Sequence, residues 1–198
     1  MKTETRRYRQ SARAEAARET GRRILDAAVT LWRECPFDEI TLQAIADGAD
    51  VSVQTVIRRY GSKEGVIEAA IAEEVSGIRA HRDTAPTGDI DAALNVLLDH
   101  YEREGEAVLR TLAAEDRFDA ARLITENGRR HHRAWCARVF APWLPPADAP
   151  EHTPRLDAFV AATDLYVWKL VRLDLGRSHT ATRAVFRALL DGLTQRPS

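Results

Sequence analysis

Residues 40–64 read ITLQAIADGADVSVQTVIRRYGSKE. Three hydroxyl residues in this stretch are suited to accept hydrogen bonds from the unpartnered first amides of a helix: Thr41, Ser52 and Ser62. Their spacing predicts a helix over 42–48, a tight turn, a second helix over 53–59, and a longer helix opened by the third hydroxyl. Two short helices joined by a tight turn form a helix-turn-helix, whose second helix fits the major groove of DNA.

The helices on either side of this stretch are predicted from apolar periodicity. Upstream, five residues share one helical face: Ile24, Ala28, Leu31, Trp32 and Cys35. They predict a helix that starts near Ala17 and stops before Pro36, because proline disfavours helix at the preceding residue. Downstream, a second set shares a face: Val66, Ile67, Ala70, Ile71, Val75 and Ile78. It predicts that the helix opened at Ser62 runs to about His81.

The remainder of the chain is also predicted to be helical. The segment 84–88, TAPTG, interrupts the helical pattern and is the predicted boundary between an N-terminal module and the rest. Beyond it the pattern predicts further helices, with a proline-rich loop over 142–154, and these helices cover 89–103, 105–115, 118–141, 155–175 and 179–195. Sustained period-2 alternation is missing, and alanine, leucine, arginine and glutamate dominate, so the predicted fold is all-α.

The charge of the chain is distributed unevenly. The 198 residues carry a formal net charge of −1, yet residues 1–23 contain eight basic and three acidic side chains. That segment therefore carries +5 and the other 175 residues carry −6. A basic arm on an acidic body favours a nucleic-acid partner at one end of the molecule.

Several classes of protein are excluded by what the sequence lacks. It has no run of about 18 apolar residues and no apolar segment after the basic start, so we expect a soluble cytoplasmic protein without a membrane partner. Cys35 and Cys136 are too far apart for a Cys-x-x-Cys site, and the adjacent His131 and His132 point about 100° apart on a helix. No nucleophile elbow or glycine-rich phosphate loop is present. We therefore predict no enzyme activity, no metal site and no cofactor.

Residues 20–80 resemble the DNA-binding domain of the TetR family of transcriptional regulators. The family pattern, with Ile-Ala-x-x-Ala-Gly-Val-Ser at the turn and an aromatic residue followed by x-Ser-Lys-Glu, is matched at Ile45, Ala46, Ala49, Val51, Ser52, Thr55, Tyr60, Ser62, Lys63 and Glu64. Asp50 stands where the family usually has glycine. This position is expected to need a positive φ, which aspartate tolerates better than most residues.

The resemblance implies which residues contact DNA. We predict ten: Thr41, Gln43, Ser52, Val53, Gln54, Thr55, Ile57, Arg58, Arg59 and Lys63. Val56 and Tyr60 are expected to pack inward on the first helix. The Gln54 amide suits the N6 and N7 atoms of adenine, and Val53 suits a thymine methyl group. Lys63 matches a family position that grips phosphate, and the basic arm over 1–19 suits the minor groove or the DNA backbone.

The resemblance also implies a larger C-terminal domain, over 81–198, that binds a small-molecule effector and dimerises through its last two helices. Four residues are the candidates for contact with the effector: Leu112, His132, Trp135 and Trp168. The predicted function is a ligand-responsive repressor that binds a palindromic operator on double-stranded DNA as a homodimer. The alternative is an all-α small-molecule-binding dimer that has lost DNA binding, which is favoured by two departures from the family, Asp50 for glycine and Ile57 for tyrosine.

Overall fold

The computed structural model describes the backbone of residues 2–195 and the side chains of residues 13–74 and 76–195. Over this range the chain is all-α, without strands, as predicted. The helices are α1 (Lys2–Glu34), α2 (Leu42–Gly48), α3 (Val53–Tyr60), α4 (Lys63–Arg82), α5 (Ile90–Ala114), α6 (Asp119–Val139), α7 (His152–Ala162), α8 (Leu165–Trp168) and α9 (His179–Thr194). A short 3-10 turn, Ala141–Trp143, follows α6, and a π-helical segment, Lys169–Asp174, continues α8.

The predicted helix-turn-helix is confirmed, with helix bounds that agree to within one residue. The three hydroxyl side chains all cap helices: Thr41 Oγ1 accepts a hydrogen bond from the Ala44 amide at 3.1 Å. Ser52 and Ser62 accept equivalent bonds three residues onward, at 3.2 Å and 3.1 Å. Asp50, in the turn, has a φ of 52°, so the expectation of a positive φ is also confirmed.

The first helix begins at Lys2, so the predicted start near Ala17 was wrong. Residues 2–16 contain neither glycine nor proline and are rich in arginine and alanine, which are good helix formers. The apolar stripe of the first helix begins only at Ile24, so apolar periodicity could not reveal the helical residues before it. The described backbone of the basic arm is therefore helical and continuous with the rest of α1.

Two helix boundaries in the C-terminal half differ from the prediction. Residues 90–114 form one helix instead of two, and Gly105 lies within it. Glycine is needed here because a Cβ at this position would lie 2.6 Å from the Trp168 ring. The predicted helix over 155–175 divides after α7, where the Asp164 carboxylate caps α8 by accepting the Tyr166 amide at 2.8 Å. Gly105 thus allows α5 and α8 to approach closely, and the Asp164 cap marks the break between α7 and α8.

The core consists of two apolar clusters that meet along α4, α5 and α6. One lies among α1 to α4 and includes alanines of α5 and α6, and the other lies among α5 to α9. Three polar contacts join α1 to α5: the Trp32 indole donates to Thr111 Oγ1 at 2.8 Å, Arg33 binds the buried Glu104 carboxylate at 2.8 Å and 3.0 Å, and Arg110 donates to the Arg33 carbonyl. Helices that carry the helix-turn-helix are therefore packed directly on the C-terminal bundle. None of the described helices is both long and apolar enough to cross a membrane.

Candidate DNA-binding surface and ligand cavity

One face of α3 packs on the protein and the other faces solvent. Val56 is fully buried, and the Tyr60 hydroxyl donates to the Gly21 carbonyl of α1 at 3.3 Å, so both lie inward as expected. On the opposite face Gln54, Ile57 and Arg58 are exposed, three and four residues apart, and they form one surface stripe. We call these three residues the exposed α3 stripe.

Several predicted DNA-contact residues have local structural roles. Thr41 and Ser52 are helix caps, and the Ser52 and Thr55 hydroxyls lie 3.0 Å apart. The exposed Gln43 donates its amide to Asp47 Oδ1 at 2.8 Å, and Val53 is half-buried against the N-terminal core. These residues border the exposed α3 stripe, whose own side chains form no cap or side-chain hydrogen bond with the described residues.

Two of the predicted cations are held against the body of the protein. The Arg59 guanidinium lies over α1 at Gly21, where an added Cβ would come within 2.6 Å of it. Lys63 Nζ lies 3.5 Å from the Phe37 carbonyl oxygen and within 5.7 Å of the Phe37 and Phe118 ring centres. Arg58, in contrast, forms no ion pair with any side chain that the structure describes, and it is the exposed cation beside Gln54.

The side chains of the arm divide between described and undescribed residues. Arg6, Arg7 and Arg9 belong to the part of the chain whose side chains lie outside the described residues. Arg13 and Arg18 are exposed on α1. The helix therefore presents at least part of the basic segment to solvent.

A cavity of about 200 Å³ lies where α1 and α4 meet the C-terminal bundle. Its apolar wall comes from several helices and includes Trp32, Ile71, Ile78, Val108, Leu112 and Ile124. Polar residues from α4, α5 and α6, together with Val160 of α7 and residues 164–166 at the start of α8, line the rest. Of the four predicted effector-contact residues, Leu112 and His132 line this cavity.

The other two, Trp135 and Trp168, do not line the cavity. Trp135 is buried, donates its indole N–H to the Arg82 carbonyl at 3.0 Å and meets Phe140 edge to face. Trp168 donates to Glu102 Oε1 at 3.0 Å while its ring packs on Gly105. Both indoles are satisfied inside the C-terminal core, which is the usual place for aromatic residues at helical spacing.

Sequence reasoning missed Arg82, the most unusual residue of the cavity. Only 4% of it is exposed. Its Nη2 donates to His132 Nδ1 at 2.8 Å, and the guanidinium carbon lies 4.3 Å from the Trp135 ring centre. A basic residue in the last turn of a helix is ordinary and normally solvated, so nothing in the sequence distinguished it.

The contact with Arg82 determines the protonation of His132. Arginine has only donors, so Nδ1 must be the acceptor and the ring proton must lie on Nε2. His132 Nε2 lies 3.2 Å from Thr163 Oγ1, which donates in turn to the Phe159 carbonyl at 2.7 Å. Burial, and then the charge of Arg82, lowers the pKa of His132 to about 3. Burial likewise lowers the pKa of Arg82.

We expect the stability of the protein to fall as the pH is lowered from 6.5 towards 3. In the unfolded chain His132 titrates near 6.5, whereas in the fold its pKa is about 3, so the unfolded state binds more protons throughout this window. At pH 5 this residue alone is expected to lower the free energy of unfolding by about 2 kcal/mol relative to pH 7. Urea denaturation at pH 7 and pH 5 measures the change. The loss should shrink by that amount in His132→Gln and stay unchanged in the control His179→Gln, whose histidine is exposed; equal losses in both variants would contradict the assignment.

Comparison with known proteins matches the N-terminal segment to one family. The family described as "Bacterial regulatory proteins, tetR family" matches residues 24–70. The chain is 37% identical over 70 residues to the HTH-type transcriptional repressor KstR of Mycobacterium tuberculosis, covering 35% of this chain and 32% of that protein. KstR of Mycolicibacterium smegmatis is 35% identical over 72 residues, covering 36% and 35%. The matched segment thus spans about a third of the length of these curated relatives.

Solved structures resemble the chain over most of its length. A crystal structure of a protein from Pseudomonas aeruginosa PAO1 has a TM-score of 0.66 at 15% identity and covers 88% of this chain and 89% of its own. A TetR transcription regulator from Haloarcula marismortui has a TM-score of 0.58 at 21% identity and covers 89% and 98%. At these identities the likeness concerns the fold, which is therefore shared beyond the helix-turn-helix.

Proposed function

We propose that this chain is a DNA-binding transcriptional regulator of the TetR family and acts in the cytoplasm as a repressor. The observation that carries the proposal is the exposed α3 stripe, presented by a capped helix that packs on α1 through its opposite face. An exposed amide, an apolar side chain and an unpaired cation on one short helix suit the major groove. The proposal assigns no catalytic residue.

Each residue of the stripe has a separate role in this proposal. Gln54 reads a base edge, because its amide can bond bidentately to adenine. Arg58 contacts the phosphate backbone in place of the cations that are held against the body, and Ile57 makes an apolar contact in the groove. The exposed Arg13 and Arg18 of α1 add phosphate contacts that raise affinity without reading sequence.

The proposed DNA-bound form is a homodimer on a palindromic operator. A single protomer offers one recognition helix, whereas a two-fold dimer offers two at a fixed spacing. Large apolar side chains are exposed along the α8 and α9 region: Tyr166, Leu170, Leu173, Leu175, Val185 and Leu189. Two such helical elements can form a four-helix bundle with their two-fold mates and bury this face.

The cavity provides a physical route for a ligand to change DNA binding. Its wall includes Trp32 of α1 and Ile71, Ile78 and Arg82 of α4, and α4 follows α3 after only two residues. A ligand that binds best when α4 is tilted shifts the population towards dimers with wrongly spaced recognition helices. DNA affinity then falls by the ratio of the ligand affinities for the two states.

A gel shift with the DNA that flanks the protein's own gene tests the proposed function. We expect a complex with a palindromic segment that weakens steeply as the salt concentration rises. If no flanking palindrome is shifted at low salt, the regulator proposal is wrong and the alternative of a small-molecule-binding dimer without DNA binding takes its place.

We expect Gln54→Ala to relax sequence preference at one base pair in each half-site. The loss is about 1–3 kcal/mol for the preferred base, and other bases at that position should change little. Arg58→Ala should instead weaken binding to all sequences about equally and flatten the dependence of affinity on salt. Titration of operator variants at several salt concentrations measures both effects, and Gln195→Ala, an exposed glutamine far from the motif, is the control. Identical behaviour of the two α3 variants would contradict these roles.

A further inference from the structure

Buried polar atoms without partners are concentrated at the cavity. Among the described side chains, six buried nitrogen or oxygen atoms lack a hydrogen-bond partner. Four of them belong to residues that line the cavity: Arg79 Nε, Arg82 Nε, His100 Nδ1 and His131 Nε2. Buried polar groups are nearly always satisfied in folded proteins, so such a cluster at one cavity marks a place where a ligand supplies the missing partners.

The charge at the cavity is also unbalanced. Arg82 is almost fully buried, yet no described carboxylate lies within 4.0 Å of its guanidinium, and its hydrogen-bond partner is the neutral His132. Among the side chains that the structure describes, the Arg79 guanidinium bonds only to the Asn127 amide oxygen, at 3.0 Å. A buried charge without a counter-ion is costly, because its lost hydration is not replaced by a partner of opposite charge. An anion bound in the cavity provides that partner.

The other charged residues of the cavity are already engaged. Arg129 pairs with Glu115 at 2.7 Å. Asp164 is the single carboxylate among the described lining residues, and it caps α8 through the Tyr166 amide. The uncompensated charge is therefore that of Arg79 and Arg82, on the last turns of α4.

The rest of the cavity sets the size and polarity of the ligand. The apolar part of the wall includes the side chains of Trp32, Ile71, Val108, Leu112 and Ile124. Liquid water occupies about 30 Å³ per molecule, so a cavity of this volume holds a ligand with roughly seven to ten non-hydrogen atoms. An apolar body of this size suits the wall, and an acidic group suits the arginines.

We propose that the effector of this regulator is a small, mainly apolar carboxylic acid whose carboxylate pairs with Arg82. The role of effector rests on the proposed function, whereas the binding of the acid in the cavity does not depend on it. A carboxylate matches the planar guanidinium, which prefers two parallel hydrogen bonds. Because Arg82 lies near the C-terminal end of α4, the ion pair would act directly on the helix that follows α3.

The first test compares acids with amides of the same shape on the wild-type protein. The probes are benzoate, phenylacetate and hexanoate, each matched with benzamide, phenylacetamide or hexanamide. We expect at least one acid to bind in isothermal titration and to raise the melting temperature, and its amide to bind about tenfold more weakly or worse. The proposal is overturned if the amides bind as tightly as the acids, if none of the acids binds, or if inorganic phosphate binds and the acids do not.

The second test removes the proposed partner of the carboxylate. In Arg82→Gln the preference for the acid over its amide should disappear. The control is Arg133→Gln, which removes an arginine beside His132 that bonds to Asp157 outside the cavity and should keep the preference. An unchanged preference in the Arg82 variant contradicts the proposal. If that variant does not fold, the comparison of acid with amide on the wild-type protein decides alone.

Adding the acid that binds to the operator gel shift separates this inference from the proposed function. A lower operator affinity with the acid, but not with its amide, supports both. An acid that binds without changing the operator complex overturns the role of effector and leaves the site. A protein that binds the acid but shifts no DNA overturns the regulator proposal and, with it, the role of effector.

Discussion

Arg33→Ala is expected to lower the free energy of unfolding by about 3 kcal/mol, a large loss for a side chain that is itself partly exposed. Arg33 binds Glu104 with two nitrogens, at 2.8 Å and 3.0 Å, and Glu104 is only 3% exposed. Removing the arginine leaves a buried carboxylate without a counter-ion, which is the costly step. Urea denaturation monitored by circular dichroism measures the loss.

Two further variants isolate the cause of this effect. Arg117→Ala removes an arginine that pairs at 2.7 Å with Asp38, but both side chains are about half exposed, so we expect a change of at most about 0.5 kcal/mol. In the double variant Arg33→Met with Glu104→Leu, most of the stability should return, because no buried charge is left unpaired. Equal losses in the Arg33 and Arg117 single variants would show that burial of Glu104 is not what makes the contact important.

The helix-turn-helix could be predicted closely because its signals are local. A capping hydroxyl forms its hydrogen bond within three residues, and the position of Asp50 in the turn is fixed by its neighbours in sequence. The inward placement of Val56 and Tyr60 also follows from helical periodicity combined with the family resemblance. These features need no knowledge of the rest of the fold.

The cavity could not be predicted because its signals are not local. Of the four predicted effector contacts, Leu112 and His132 line the cavity, whereas Trp135 and Trp168, which look the same in sequence, lie in the core. What separates them is where their indole N–H groups find acceptors, the Arg82 carbonyl and the Glu102 carboxylate, which are distant in sequence. Arg82 shows the converse case, since an ordinary position in sequence becomes a buried cation only after α4 packs on α6.

Long-range contacts likewise explain the incorrect helix boundaries. Gly105 resembles a helix breaker when only its neighbours are considered, and its role appears once Trp168 lies against it. The start of α1 was missed for a different reason, because the sequence of residues 2–16 contains no apolar stripe that would indicate a helix.

Leu189→Arg is expected to convert the proposed dimer into a monomer and to weaken operator binding about a hundredfold or more. Leu189 is 41% exposed on α9 and belongs to the apolar face that also includes Leu170, which is 52% exposed. An arginine at the centre of a two-fold interface faces its own symmetry mate, so like charges meet where apolar surface was buried. Each protomer then contacts one half-site and loses the gain in affinity that comes from linking two recognition helices. Light scattering gives the mass, and a gel shift gives the affinity.

The matched control for this prediction is Leu123→Arg, an identical substitution at a leucine of α6 that is 53% exposed and lies outside the α8 and α9 region. It should leave both the mass and the operator affinity unchanged. A dimeric Leu189→Arg protein would place the interface elsewhere. A monomer with full operator affinity would instead show that one recognition helix suffices, and the argument for a palindromic operator would then fail although the dimer interface was located correctly. The two measurements therefore test the proposed assembly and its proposed purpose separately, which neither could do alone.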